Sequence, residues 1–96
     1  PPPTPATPSL PQQATINLAT QTFSPANVTV AAGGTITWSW AGDMVHNIVT
    51  DGPPSFPGHP EFQTEGTYAF TFTQPGTYNF HCEVHPNTMR GTITVQ

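Results

Sequence analysis

Polar and apolar residues alternate with period two along most of this chain once its first dozen residues are passed. Thr15-Ile16-Asn17-Leu18-Ala19 alternates in this way, and so does Asn27-Val28-Thr29-Val30, reached through a turn at Phe23-Ser24-Pro25. Ala31-Ala32-Gly33-Gly34 is a second turn, followed by Thr35-Ile36-Thr37-Trp38-Ser39-Trp40, which sets Ile36, Trp38 and Trp40 on one face. Such alternation is that of a strand with one face buried, and the Val, Ile, Thr and aromatic content suits pleated surfaces. Ala41-Gly42-Asp43 interrupts the pattern before an apolar run around His46. Residues 51–66 contain four prolines and three glycines and keep no period, which predicts a long loop with room for one short helical turn. Residues 67–73 (TYAFTFT) and 77–82 (TYNFHC) are predicted strands joined by Gln74-Pro75-Gly76, and residues 91–95 form the last strand. Seven to eight short strands separated by turns predict an all-β fold, an antiparallel Greek-key β-sandwich.

The first residues differ in kind. PPPTPATPSLPQ holds six of the thirteen prolines and no charged side chain. It favours extended polyproline II and cannot contribute to a sheet ladder. Residues 1–13 are therefore expected to be a tail or linker, disordered or acting as a spacer from an anchor or another domain. Residues 14–96 are expected to form one domain, for which this length is sufficient.

Charge narrows the functions available. Charged residues make up 6% of the chain and Arg90 is its sole Lys or Arg, so nucleic acid, which needs clustered bases, is excluded as a partner. The acids Asp43, Asp51, Glu61, Glu65 and Glu83 are scattered, and no acidic docking patch can be read from them. One cysteine cannot form an internal disulfide. No apolar run reaches the length of a membrane span, and no signal peptide is visible. Because the chain does not begin with Met, a mature or truncated form is the expectation.

Chemistry concentrates in His81-Cys82-Glu83-Val84-His85-Pro86-Asn87-Thr88-Met89-Arg90-Gly91, between two predicted strands. A thiolate, an imidazole and a thioether in one loop are a soft donor set that favours Cu(I), while imidazole also suits Cu(II). A site serving both states needs another nitrogen donor, and His46, in Met44-Val45-His46-Asn47-Ile48-Val49, is the best-placed candidate. Strand parity agrees: Tyr78, Phe80 and Cys82 share a face, so Cys82 continues a core-facing row and His81 lies opposite.

An upstream His-Asn followed by Cys, His and Met before a closing Gly-Thr-Ile-Thr-Val strand resembles the cupredoxins. The likeness is strongest to the small plastocyanin, halocyanin and amicyanin group of blue-copper electron carriers, and runs from about Thr15 to Gln96. The resemblance implies His46, Cys82 and His85 as close copper ligands and Met89 as a weak axial one. It also implies that Asn47 bonds the backbone beside the cysteine. Three residues separate His85 from Met89, one fewer than is common in plastocyanins and one more than in amicyanins.

The expected function is single-electron transport by one mononuclear type 1 copper cycling between Cu(II) and Cu(I). Three close ligands and a thioether leave no open position for substrate, so a carrier is expected rather than an enzyme. Redox protein partners are expected to dock near His85 on a monomer working outside the cytoplasm, in a periplasm or at the outer face of the cell membrane. The alternatives are an electron-transfer domain of a larger copper oxidase or reductase, and a non-redox copper-binding module. Met44 is expected to pack at the rim, His59 to be a solvated loop residue and His81 an exposed strand residue. Glu83 and Arg90 read as isolated surface charges beside the ligands.

Overall fold

The longest strand, β4 (Gly34–Asp51), belongs to both layers of a sandwich. In the computed structural model, which describes residues 10–19 and 21–96, its first part lies between β1 (Gln13–Ala19) and β5 (His59–Phe72). Its last residues, 49–51, pair instead with β6 (Gly76–His81). The first layer is completed by β2 (Thr22–Ser24) beside β1. The second is completed by β7 (Arg90–Val95) beside β6 and β3 (Asn27–Val30) beside β7. The described residues contain no helix. The Pro-rich stretch predicted to be a tail lies, for residues 1–9, outside the described residues.

The predicted inward faces are inward. Ile36, Trp38 and Trp40 are buried on β4, as are Tyr78 and Phe80 on β6. On β5 only Phe72 of the row Tyr68, Phe70, Phe72 is fully buried, the other two packing at the edge of the core. Trp38 lies at the centre: its ring stacks on Phe56 at 5.5 Å and meets Phe80 edge-on at 5.7 Å. Gly91, opposite Phe80 in the β6–β7 pair, is there because any side chain would collide with the Phe80 ring. That ring in turn meets Phe23 edge-on at 4.8 Å.

The structure departs from the expectation in three respects. The sandwich is not wholly antiparallel: β1 runs parallel to β4 and β3 parallel to β7. The chain crosses from the first layer to the second between β2 and β3 and then returns, so β1 and β4 enter their layer from the same side. The break at residues 41–43 is not a strand end but a bulge within β4. Residues 51–66 are only partly loop. From His59 onward they form β5, and residues 52–58 contain no helical turn. Proline is tolerated in an edge strand, where a missing N–H costs no ladder bond. Among the described residues β5 pairs with β4 alone, so Pro60 is accommodated at its start.

Candidate metal centre

Two reciprocal bulges aim His46. Between the pairs Ala41↔Glu65 and His46↔Gln63, β4 carries the excess residues; between His46↔Gln63 and Ile48↔His59, β5 does. Bulges rotate a strand locally and re-aim side chains. Here His46, Asn47 and Ile48 are all buried in succession, which no regular strand with one wet face permits. The buried Trp40 indole N–H, which needs an acceptor, donates to the His46 carbonyl at 3.0 Å and so clips the bulge shut.

The other donors come from the loop between β6 and β7. Cys82 follows directly on β6 and is fully buried, in line with Tyr78 and Phe80. Its N–H donates to the Met89 carbonyl at 3.0 Å, which closes the loop at its neck. The His85 carbonyl accepts from the N–H groups of Thr88 at 3.2 Å and Met89 at 2.8 Å, forming a single helical turn. Three residues between His85 and Met89 are thus the number one turn requires, and positions four apart in such a turn lie on one side.

Within this frame the Cys82 Sγ lies 3.7 Å from the His46 Nδ1. The His46 and His85 rings are 6.1 Å apart between centroids, inclined at 57°. The His85 Nδ1 is buried and has no hydrogen-bond partner among the described residues. His46, Cys82 and Met89 are each 0% exposed, whereas His85 is only half-buried. Of the two methionines, Met44 is half-buried on the bulge and Met89 wholly enclosed.

No group of three or more His, Cys, Asp and Glu side chains among the described residues is closed into a metal-holding cluster. The donor chemistry nevertheless fits copper. The 3.7 Å between the Cys82 sulfur and the His46 nitrogen would let one metal ion be held by both, and the buried unbonded His85 nitrogen is the candidate third donor of a His, His, Cys set.

Asn47 ties together the two segments that carry the candidate ligands. Its Oδ1 accepts from the Glu83 N–H at 2.9 Å, the bond that the resemblance implies. Its Nδ2 donates to the Pro60 carbonyl at 3.1 Å and to the Glu83 Oε1 at 2.8 Å.

Four readings of single residues require correction. His59 is not a solvated loop residue: it lies in β5, with Nδ1 2.8 Å from the Glu61 carbonyl oxygen and its ring against Trp40 and Tyr68. Burial there also raises the Tyr68 pKa, opposed by a backbone bond at Gly58. His81 is not exposed, since its side chain is 17% accessible and its Nδ1 lies 2.9 Å from the Asp51 carboxylate. Arg90 is not isolated, its Nη1 being 3.6 Å from Asp51, and Glu83 is bonded to Asn47. The sequence did not point to the Trp40 clip, although an indole N–H on a core-facing row is itself a signal that an acceptor must be near.

Comparison with known proteins identifies the family. A family model described as copper binding proteins, plastocyanin/azurin family, matches residues 12–96. The chain belongs to this family. As a cupredoxin of this family it is a type 1 copper electron-transfer protein. Plastocyanin A/B from Petroselinum crispum is 40% identical over 83 residues, covering 76% of this chain and 86% of its own. Amicyanin from Paracoccus denitrificans is 33% identical over 85 residues, covering 84% and 63% respectively. Among solved structures, oxidised plastocyanin from Dryopteris crassirhizoma superposes with a TM-score of 0.74 at 28% identity, over 86% of this chain and 100% of that one. Amicyanin from Paracoccus versutus gives 0.72 at 29% identity, over 85% and 79%.

Proposed function

We propose that His46, Cys82 and His85 hold the copper as close ligands with Met89 as the weak axial one, and that electrons enter and leave through His85. The observation that carries this reading is the approach of two buried donors from different segments, Cys82 Sγ and His46 Nδ1, to 3.7 Å. Bound there, copper supplies a one-electron Cu(II)/Cu(I) couple. The chain's own part is to hold two imidazoles and a thiolate in an arrangement that both states accept, so that little reorganisation opposes transfer.

His85 is the only one of the four residues that reaches solvent, which supports it as the port. The large apolar side chains exposed on the described residues are Val45, Phe62 and Val84, at 39%, 55% and 37%. Val45 adjoins His46, Val84 adjoins His85, and Phe62 adjoins Gln63, the partner of His46 across the sheet. Redox partners therefore meet an apolar surface around His85, and transient redox encounters need only a small one. The protein is read as a monomeric carrier without catalytic activity. It works outside the cytoplasm, in a periplasm or at the outer face of a membrane, with the Pro-rich start of the chain as a tail or tether to a domain that opens at Gln13, the first residue of β1, and not at residue 14.

The test is the visible spectrum of the copper-loaded protein. A strong thiolate-to-Cu(II) charge-transfer band is expected, and Cys82→Ser removes it together with the reversible couple while the sandwich stays folded by circular dichroism. A band that survives Cys82→Ser refutes the ligand assignment.

A further inference from the structure

We propose that the Glu83 carboxylate is a positioning residue of the metal centre, and that its charge biases the centre toward the oxidised state. The proposal rests on the ligand reading above and concerns the side-chain arm of the Asn47–Glu83 pair. Asn47 is 0% exposed. Both protons of its amide are used, one on the Pro60 carbonyl at 3.1 Å and one on the Glu83 Oε1 at 2.8 Å, while its Oδ1 accepts from the Glu83 N–H at 2.9 Å. This fixes which way the amide points, because a flipped amide would set its NH2 against the Glu83 N–H and its oxygen against two acceptors.

The consequence is geometric first. Asn47 follows His46 and Glu83 follows Cys82, so a two-bond ring joins the residues next to two ligands from different segments. A backbone bond alone fixes one distance, whereas the second bond also fixes the rotation of one segment against the other. The second arm ends on a carboxylate, and hydrogen bonds to ionised acceptors are the stronger kind. Without it, a buried Asn47 N–H is left with no acceptor, which a folded protein tolerates poorly.

The second consequence is electrostatic. A full negative charge held one residue from the thiolate favours the more positive state of a bound metal. Glu83 is itself exposed, so solvent screens the effect and leaves it modest.

Two variants separate these roles. Glu83→Gln keeps an oxygen for the Asn47 N–H and removes the charge; Glu83→Ala removes both. Two readouts are taken: the reduction potential of the copper-loaded protein at one pH, and amide exchange at position 83 in the metal-free protein by NMR. Glu83→Gln is expected to shift the Cu(II)/Cu(I) preference about threefold toward Cu(I) while leaving exchange at position 83 slow. Glu83→Ala is expected to shift the preference the same way and also to lose that protection. An unchanged potential in Glu83→Gln overturns the charge role, and full protection in Glu83→Ala overturns the positioning role. If the unaltered protein with copper shows no thiolate band, the ligand reading has failed. The exchange measurement still decides the positioning role in that case, because it needs no metal.

Discussion

Residues 34–41 of β4 keep strict register with β5, and residues 42–48 lose it twice. The regular part places Ile36, Trp38 and Trp40 inward and exposes or half-exposes the residues between them. The irregular part buries His46, Asn47 and Ile48 one after another. The first part has the side-chain rhythm of a sheet with one wet face; the second abandons it to bring a donor, its tether and a core residue inside together. One strand thus divides its labour along its length, packing at one end and chemistry at the other. The difference teaches that the candidate donor His46 is brought inside by a local failure of the ladder, stabilised by the indole of Trp40 and the amide of Asn47.

This division can be broken experimentally, beginning at the regular end. Trp38→Ala removes the ring at the centre of the aromatic core, and large-to-small changes at such sites cost about 3–5 kcal/mol. That is a large share of the about 5–15 kcal/mol available to a small domain. Chemical denaturation of the metal-free protein should show the loss. A cost below about 1 kcal/mol would mean that the regular part of β4 is not the main packing element.

A smaller effect is expected at the metal end. Met89→Gln replaces a soft thioether by an oxygen donor that favours Cu(II), and should lower the potential by at least about 59 mV, a tenfold change for one electron. Met44→Leu, on the bulge but only half-buried, should leave the potential nearly unchanged. The reverse outcome by voltammetry would show that the bulge, and not the loop, supplies the axial donor.

The smallest effect concerns docking. The rate with the native redox partner should fall only a few-fold between low and high salt, because screening acts on exposed charges and few stand near His85. Phe62→Ser should slow that reaction more than the salt does. Stopped-flow rates that drop steeply with salt and ignore Phe62→Ser would move the contact from the apolar surface to the carboxylates.

Where alternation is regular it could be read directly: the buried faces of β1, β4 and β6 and the inward direction of Cys82 follow from parity alone. Residues 41–48 and 59–66 resisted because a bulge adds residues to one strand only, and the period-two count then falls out of phase. Pro60 and the nearby glycines looked like loop because proline cannot donate in a ladder, and an edge position, where that does not matter, is invisible in a linear sequence. Phe56 and Phe62, six residues apart in the same Pro-rich stretch, meet opposite fates: Phe56 stacks in the core and Phe62 lies 55% exposed. Only tertiary structure distinguishes them. The candidate donors were singled out through chemistry rather than pattern, since a thiolate, two imidazoles and a thioether are rarely gathered by accident. The bond from the Asn47 amide to the Glu83 carboxylate was not, because a side-chain contact across that sequence separation carries no local signal.

The edge formed by β5 has a consequence for how copies of this chain tolerate one another at high concentration. A long strand paired on one side only is a template for edge-to-edge association, and a surface with few charges gives little general repulsion to prevent it. The protection is built into the strand. Pro60 lacks the N–H that a foreign strand would need, the excess of residues at 60–62 throws a second strand out of step, and Glu61 and Glu65 project charge from the same stretch. Two such edges approaching each other would bring carboxylate toward carboxylate. The irregularity that aims a histidine on one side of the β4–β5 pair thus helps, on the other, to keep the chain from polymerising.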